Sequence, residues 1–389
     1  MNHMNNACPL KRREFLQISS CSALMGLASC SGAEPENKQV NAMNDEKTAY
    51  DHTFPLIEVS GSSYDMGYQH GAQTAAMVER YLVWIELSTG KSRDVLCRNA
   101  MEFLPYFENF SASFVEEIRG LAKGADISFE EAMLCQLRGE AASIPDDGCT
   151  AFAVKGSATV DGKTLAGQNQ DLPSEYADVS ILLKVKPGDG RPRAIMYTFA
   201  GQLGFTGMNE HGVAHFLNMV YDFKWRLGLN HYPIKRVMLE KRTTDECVAL
   251  FAENRTCSAR NHLICDGSGT ITDVEVRPEG IAVFADEHPD CIVHTNHYVT
   301  PEFSGYKTNL PDSPHRFARM HALIDKHWGT ITLDTMKDLL ADHDGDPVGI
   351  CRHEPGMHSI SGYIAEPDKR LFHVRRGHGC LGNWQAYDV

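Results

Sequence analysis

The chain has 389 residues, of which 42% are hydrophobic and 23% charged, enough to bury a large core as one or two domains. Its formal net charge is −14, and no cluster of Lys and Arg lies beyond the first thirty residues. Such a surface repels nucleic acid, and no apolar run after residue 30 is long enough to span a bilayer.

The first stretch is a targeting segment and not part of the fold. Lys11-Arg12-Arg13-Glu14-Phe15-Leu16 resembles a twin-arginine export signal. A short apolar run follows and ends in Leu27-Ala28-Ser29-Cys30, which resembles a lipobox. These features predict removal of residues 1–29, lipid attachment at Cys30, and a protein exported to the cell envelope or periplasm and held at the membrane by that anchor. Residues 30–50 are polar without apolar periodicity and are expected to form a flexible tether. The remainder, 51–389, is expected to be one domain: a helical part over 51–148 and a strand-rich part over 149–389.

Within the helical part, Phe54–Val59 alternates as a strand and ends at Gly61-Ser62-Ser63, with Ser63 a candidate cap for a helix from Tyr64 to about Leu87. Helical spacing returns over 93–110 and 114–123, and again over 128–139, where Ser128-Phe-Glu-Glu131 has the form of a capping box. Tyr64, Tyr68, Phe110 and Phe114 are expected in the core of this block. From Cys149 the apolar period changes to two. Strands are expected over 149–154, 164–168, 179–185, 193–199 and 213–217, with Asp161-Gly162 turning between the first two. Helices over 233–241 and 244–253 precede strands over 262–265, 271–276, 281–284 and 292–295. Helices over 313–327 and 333–343 precede strands over 359–365 and 371–375. This order predicts an α+β protein of antiparallel sheets covered by helices.

Chemistry concentrates at Asp146-Asp147-Gly148-Cys149-Thr150, where the helical part meets the first strand of the second. Gly148 leaves its carbonyl open to attack and tolerates strained backbone angles. Attack by the Cys149 thiol, followed by water, makes Cys149 a new N-terminus. Its α-amino group, with a reference pKa of about 8, then serves as base for a thiol of about 8.5.

Seven motifs in order carry a family resemblance over more than 300 residues. They are Gly67-Tyr-Gln-His-Gly71, Asp147-Gly-Cys-Thr150, Gly167-Gln-Asn-Gln-Asp171, Gly207-Met-Asn-Glu-His-Gly212 with Asn218, His294-Thr-Asn-His297, Asp312-Ser-Pro-His-Arg316, and Asp342-His343 with Cys351-Arg-His353. Together they resemble the N-terminal nucleophile hydrolases of the peptidase C45 type, the acyl-coenzyme A:6-aminopenicillanic acid acyltransferase (isopenicillin N acyltransferase-like) family. The resemblance implies a four-layer αββα sandwich and a precursor cut between Gly148 and Cys149, whose two pieces stay together. It makes Cys149 the nucleophile, Asp171 the partner of the freed α-ammonium, Asn296 an oxyanion donor with Asn218 a second candidate, and Arg316 a neighbour of the nucleophile. Gln168 stands where related bile-salt hydrolases and ceramidases carry arginine, which argues against a carboxylate clamp there.

The implied activity is hydrolysis of a C–N amide bond in a small N-acyl compound, with no cofactor. The alternatives are acyl transfer to an amine such as 6-aminopenicillanic acid, or a non-catalytic surface lipoprotein on the same fold. Of twelve cysteines, Cys8 and Cys21 leave with the signal and Cys30 is the lipidation site, so nine remain, Cys149 among them. Export permits disulfides among the others. None forms a CxxC pair, so no structural zinc is expected. His294-x-x-His297 and Cys351-Arg-His353 are not read as metal ligands, and His343 and His353 are expected to hydrogen-bond within the core or rim.

Overall fold

The computed structural model describes residues 53–137, 140, 148–220, 226–284, 288–306 and 310–389. The export signal, Cys30, the tether and Asp146-Asp147 lie outside the described residues.

Strand β1 (Leu56–Gly61) leads into a helical block: α1 (Ser63–Thr89), α2 (Arg93–Met101), α3 (Leu104–Phe110), α4 (Ala112–Ala125) and α5 (Phe129–Cys135). The cap of α1 is Ser62 and not Ser63. Ser62 Oγ accepts from Asp65 N–H, and the Asp65 carboxylate accepts from Ser62 N–H, a closed capping box. The box expected at Ser128 and Glu131 is present at the start of α5. The helix expected over 93–110 is two helices, with Pro105 in the first turn of the second, where its missing N–H costs nothing.

Helices α1 and α4 cross with their backbones in contact. A Cβ added at Gly67 would lie 1.9 Å from the Glu117 carbonyl oxygen, and one at Gly120 would lie 2.0 Å from that of Tyr64. Gly71 and Gly124 meet the opposite backbones in the same way. This crossing accounts for the Gly67-xxx-Gly71 spacing. It also turns Tyr64 and Tyr68 outward, 40% and 46% exposed, against the expectation that they lie in the core. Phe114 is buried as expected.

The second part is built from β2 (Gly148–Val154), β3 (Leu165–Leu172), β4 (Ser180–Pro187), β5 (Ala194–Phe199), β6 (Thr206–Asn209), β7 (Ala214–Asn218), α6 (His231–Met238) and α7 (Thr244–Glu253). It continues with β8 (Arg260–Cys265), β9 (Ile271–Arg277), β10 (Gly280–Phe284), β11 (Cys291–His294), α8 (Ser313–Lys326), α9 (Leu333–Leu339), β12 (His358–Glu366), β13 (Leu371–Arg376) and β14 (Trp384–Asp388). One sheet runs β1-β4-β5-β6-β7-β8-β9-β10 and the other β11-β2-β3-β12-β13-β14. Neighbours are antiparallel, save β1 on β4, which pairs in parallel.

The layers follow from the period of two. On β2 and β3, Ala151, Ala153 and Ala166 face the larger sheet, where the Tyr363 and Tyr197 rings meet at 4.9 Å. Alternate residues Phe152, Val154 and Leu165 face Met320, Leu323 and Ile324 of α8 and Met336 of α9. On the far side, α1 and α7 cover the larger sheet, with Met66 against Ile181, Leu183 and Val185. The fold is therefore the expected αββα sandwich. None of the nine described cysteines forms a disulfide.

Candidate active site

Strand β2 starts with Gly148 opposite Asp171 and Cys149 opposite Gln170, so the head of β2 and the tail of β3 lie together. Cys149 has the parity of Ala151 and thus sits on the face between the sheets, buried at 1% exposure. Thr150 takes the opposite face, towards α8.

Two side chains grip the Cys149 backbone. The Cys149 N–H donates to Asn296 Oδ1 at 3.1 Å, and the Cys149 carbonyl accepts from Arg316 Nη1 at 2.7 Å. Arg316, fully buried near the start of α8, spreads its whole fork. Nη1 also donates to Thr150 Oγ1, Nη2 donates to Asn296 Oδ1 at 2.7 Å, and Nε donates to Asp312 Oδ2 at 2.7 Å. A planar guanidinium can serve these acceptors at once, whereas an ammonium cannot. Asn296 Nδ2 donates to the Met219 carbonyl at 2.9 Å, and its N–H donates to Ser313 Oγ at 2.7 Å. The amide orientation is thereby set: its oxygen takes the two donors, and its nitrogen faces β7's end.

Asp171 is fully buried beside Gly148. A Cβ at Gly148 would lie 3.0 Å from Asp171 Oδ2, so glycine makes room for the carboxylate. Ser359 donates to Asp171 Oδ1 at 2.6 Å, while Oδ2 has no hydrogen-bond partner among the described residues. Burial pushes the Asp171 carboxyl above its ordinary value, and Arg316, Arg352 and Ser359 oppose that shift without cancelling it. Asp312 behaves oppositely. Burial raises it, but Arg316 and Arg352, which donates to it at 2.9 Å, hold it below the usual carboxylate range.

Four of the five residues expected from the sequence thus meet at one point: Cys149, Asp171, Asn296 and Arg316. Asn218 is one step removed. Its Nδ2 donates to the His294 carbonyl and its Oδ1 accepts from Asn261, so it braces the strand ends that carry Met219 and Asn296. Gln168 bridges the sheets, accepting from Leu217 N–H and donating to its carbonyl at 2.5 Å. His294 and His297 do not pair. His294 Nε2 meets Glu275 at 3.0 Å and His297 Nδ1 meets Ser313 Oγ at 2.8 Å. Asp312 and Arg352 stand in the sequence motifs without a role, and Ser359 and Met219 were not singled out by sequence, because each acts through a neighbour that only the fold supplies.

A model of the acyl-coenzyme A:6-aminopenicillanic acid acyl-transferase family matches residues 158–370, starting after Cys149. The acyl-coenzyme A:6-aminopenicillanic-acid-acyltransferase 40 kDa form of Emericella nidulans is 28% identical over 307 residues, covering 76% of this chain and 84% of that one. An uncharacterized protein of Archaeoglobus fulgidus is 22% identical over 341 residues, and there the alignment covers 73% of this chain and 57% of that protein. Among solved structures, a variant of conjugated bile acid hydrolase from Clostridium perfringens is similar at a TM-score of 0.43 and 13% identity, over 62% of this chain and 97% of that one. Penicillin V acylase from Agrobacterium tumefaciens is similar at 0.40 and 12%, over 62% and 86%. The family match spans more than half of the chain, and the protein belongs to the acyl-coenzyme A:6-aminopenicillanic acid acyl-transferase family.

Proposed function

We propose that the protein is a self-processing cysteine amidohydrolase acting on the C–N bond of a small N-acyl compound through a Cys149 acyl-enzyme. The observation that carries this reading is the Gly148-Cys149 peptide, buried at a strand head beside a carboxylate with an open oxygen, and gripped by Asn296 and Arg316.

In the first step Cys149 Sγ bonds to the Gly148 carbonyl carbon and the Gly148–Cys149 C–N bond breaks, the nitrogen keeping the thiol proton. Water then splits the thioester, releasing the Gly148 carboxylate and regenerating the thiol. The freed α-amine lies where Asn296 Oδ1 already accepts from Cys149 N–H, with Asp171 across the strand pair. That amine takes the thiol proton and the thiolate attacks the substrate carbonyl. Arg316 holds the Cys149 backbone still, and an Asn296 amide hydrogen stabilises the oxyanion, a contribution of about 3–4 kcal/mol at such sites. Asn218 acts by position alone. Water or an amine then takes the acyl group.

Transfer to an amine is the second reading, and the acyltransferase of Emericella nidulans favours it. Export favours hydrolysis, since coenzyme A thioesters are cytosolic. The proposal includes export, with residues 1–29 as signal and Cys30 as lipid anchor.

Intact mass of purified wild type beside Cys149→Ala tests the reading. Wild type is expected as two pieces, the second beginning at Cys149, and the variant as one. Release of free amine from N-acyl amides and penicillins, with and without an acceptor amine, then separates hydrolysis from transfer. An uncut wild type that still turns over substrate would remove the α-amine from the mechanism.

A further inference from the structure

Away from the nucleophile, His343, Cys351, His353 and Cys380 bring four ligand atoms within 4.8 Å of one another. The spacing is specific. His343 Nε2 lies 3.1 Å from His353 Nε2, Cys351 Sγ and Cys380 Sγ lie 3.4 and 3.5 Å from His353 Nε2, and the two sulfurs are 4.0 Å apart. A zinc ion with bonds of about 2.3 Å to sulfur and 2.0–2.1 Å to nitrogen has tetrahedral edges of about 3.8 Å between sulfurs, 3.3 Å between nitrogens and 3.6 Å mixed. Four of the six edges follow that order and lie within a few tenths of an ångström of it, and the two from His343 to the sulfurs are within 4.8 Å.

Two separate segments build the site. His343, Cys351 and His353 belong to the loop between α9 and β12, folded on itself by Asp346 N–H to the His343 carbonyl, Cys351 N–H to the Asp342 carbonyl and His353 N–H to the Pro347 carbonyl. Cys380 comes from the turn between β13 and β14. There Gly379 presses on the first segment, since a Cβ on it would lie 2.3 Å from the Leu340 carbonyl oxygen. The second ring nitrogen of His353 has a fixed neighbour too: His353 Nδ1 and His378 Nδ1 are 2.7 Å apart, the kind of outer contact that orients a ligating imidazole. Cys351 is buried while His343 and Cys380 reach the surface, which gives an ion a way in.

We propose that these four side chains bind one zinc ion as a structural site, Cys351 and Cys380 losing their thiol protons on binding. A Cys351–Cys380 disulfide is the competing outcome. It needs the sulfurs to close from 4.0 Å to about 2.05 Å. The absence of a CxxC pair hid the site, because its thiols lie on different segments. The ion also has a place in the wider architecture. Arg352, between two ligands, donates to Asp312, which in turn accepts from Arg316. The metal thus fixes the loop that braces the Cys149 cluster.

The test is zinc content and Co²⁺ spectroscopy on the full exported chain, purified under reducing conditions. Wild type and a Cys97→Ala control are expected to hold about one equivalent of Zn²⁺, and Cys380→Ser at least about tenfold less. After chelation, Co²⁺ is expected to give wild type the intense visible bands of a tetrahedral site with thiolate charge transfer, and chelation to lower its melting temperature. Both effects should be missing in Cys380→Ser. His343→Gln, also at the surface, is the second variant, with the same loss expected should Cys380→Ser fail to fold. Wild type that binds Zn²⁺ no better than the variants, or that carries a Cys351–Cys380 disulfide by peptide mass under these conditions, overturns the proposal.

Discussion

Arg316 is the side chain on which the site geometry turns. Four of its five N–H donors reach Cys149 O, Thr150 Oγ1, Asn296 Oδ1 and Asp312 Oδ2 from one rigid plane. Arg316→Lys keeps the charge and loses the fork, so we expect processing or turnover to fall by about 100-fold, the scale on which a misplaced reacting group costs rate. Fragment appearance over time measures it, and wild-type kinetics in the lysine variant would show that charge alone suffices. Asp171 gives a prediction with a sign. Burial raises its carboxyl above the ordinary 3.8, so the folded chain holds that proton to higher pH than the unfolded chain. The stability this group contributes is present below the ordinary value and is lost as pH rises through the raised one. At about pH 8 the carboxylate is therefore a cost. In an uncut Cys149→Ala background, Asp171→Asn should raise the melting temperature at about pH 8 and by less at about pH 4. A lower melting temperature at the higher pH would mean that Arg316 and Arg352 more than compensate the burial. Gly148→Ala tests the same contact from the other strand. Its Cβ meets Asp171 Oδ2 at 3.0 Å, and cleavage should slow by about tenfold or more in a time course of uncut chain.

At the scale of elements, legibility followed local signals. Helix α7 was readable to the residue, because Thr243 caps it by accepting from Glu246 N–H and its first turn is acidic. The β2–β3 pair was readable because both strands keep a period of two. Strand β6 was missed: Thr206-Gly-Met-Asn209 is four residues long and holds a glycine packed on the Ile195 carbonyl, a contact no sequence pattern records. The parallel pairing of β1 was missed for the same reason, since the partner strand begins more than a hundred residues later. In the site, Cys149, Asp171, Asn296 and Arg316 were legible through motif order. Asp312, Arg352 and Ser359 were not, because their roles appear only when α8, β12 and the loop before β12 converge. The crossing of α1 and α4 shows how an element-level feature can be checked. Gly120→Ala puts a Cβ 2.0 Å from the Tyr64 carbonyl oxygen, so the helices must separate, at a cost of about 1–3 kcal/mol or more. Gly280→Ala, with open space around it, is the control. Urea titrations of the two should differ in midpoint by that amount, and equal midpoints would mean that the crossing is loose.

For the whole molecule, the proposed cleavage raises the question of what would hold together once the Gly148–Cys149 bond is cut. The proposed break falls after the first residue of β2, the piece before it supplying β1 and the helical block and the piece after it the remaining strands. The two are interleaved and not merely adjacent. Residues Leu56 to Gly61 pair with Leu182 to Pro187 along the whole of β1. Phe54 meets Tyr197 edge to face at 5.0 Å, Tyr81 lies 6.1 Å from Phe199, and Trp84 lies 4.4 Å from Tyr176. Gln136 donates to the Gly201 carbonyl and accepts from Leu203 N–H, and the buried Glu117 carboxylate meets Arg236. Each large apolar side chain that crosses the boundary is worth about 1.5–3 kcal/mol of burial. Phe54, Ile57, Val59, Met66 and Tyr81 alone therefore approach or exceed the association cost of about 4–15 kcal/mol, before any hydrogen bond is counted. Cleaved protein should accordingly run as one species in native size-exclusion chromatography, with both pieces in equal amount, and melt in a single transition. The pieces should part only in denaturant. Separation of the pieces on dilution in native buffer would show that the covalent link, and not the shared core, keeps the helical block on the sandwich, and the processed form would then be a short-lived one.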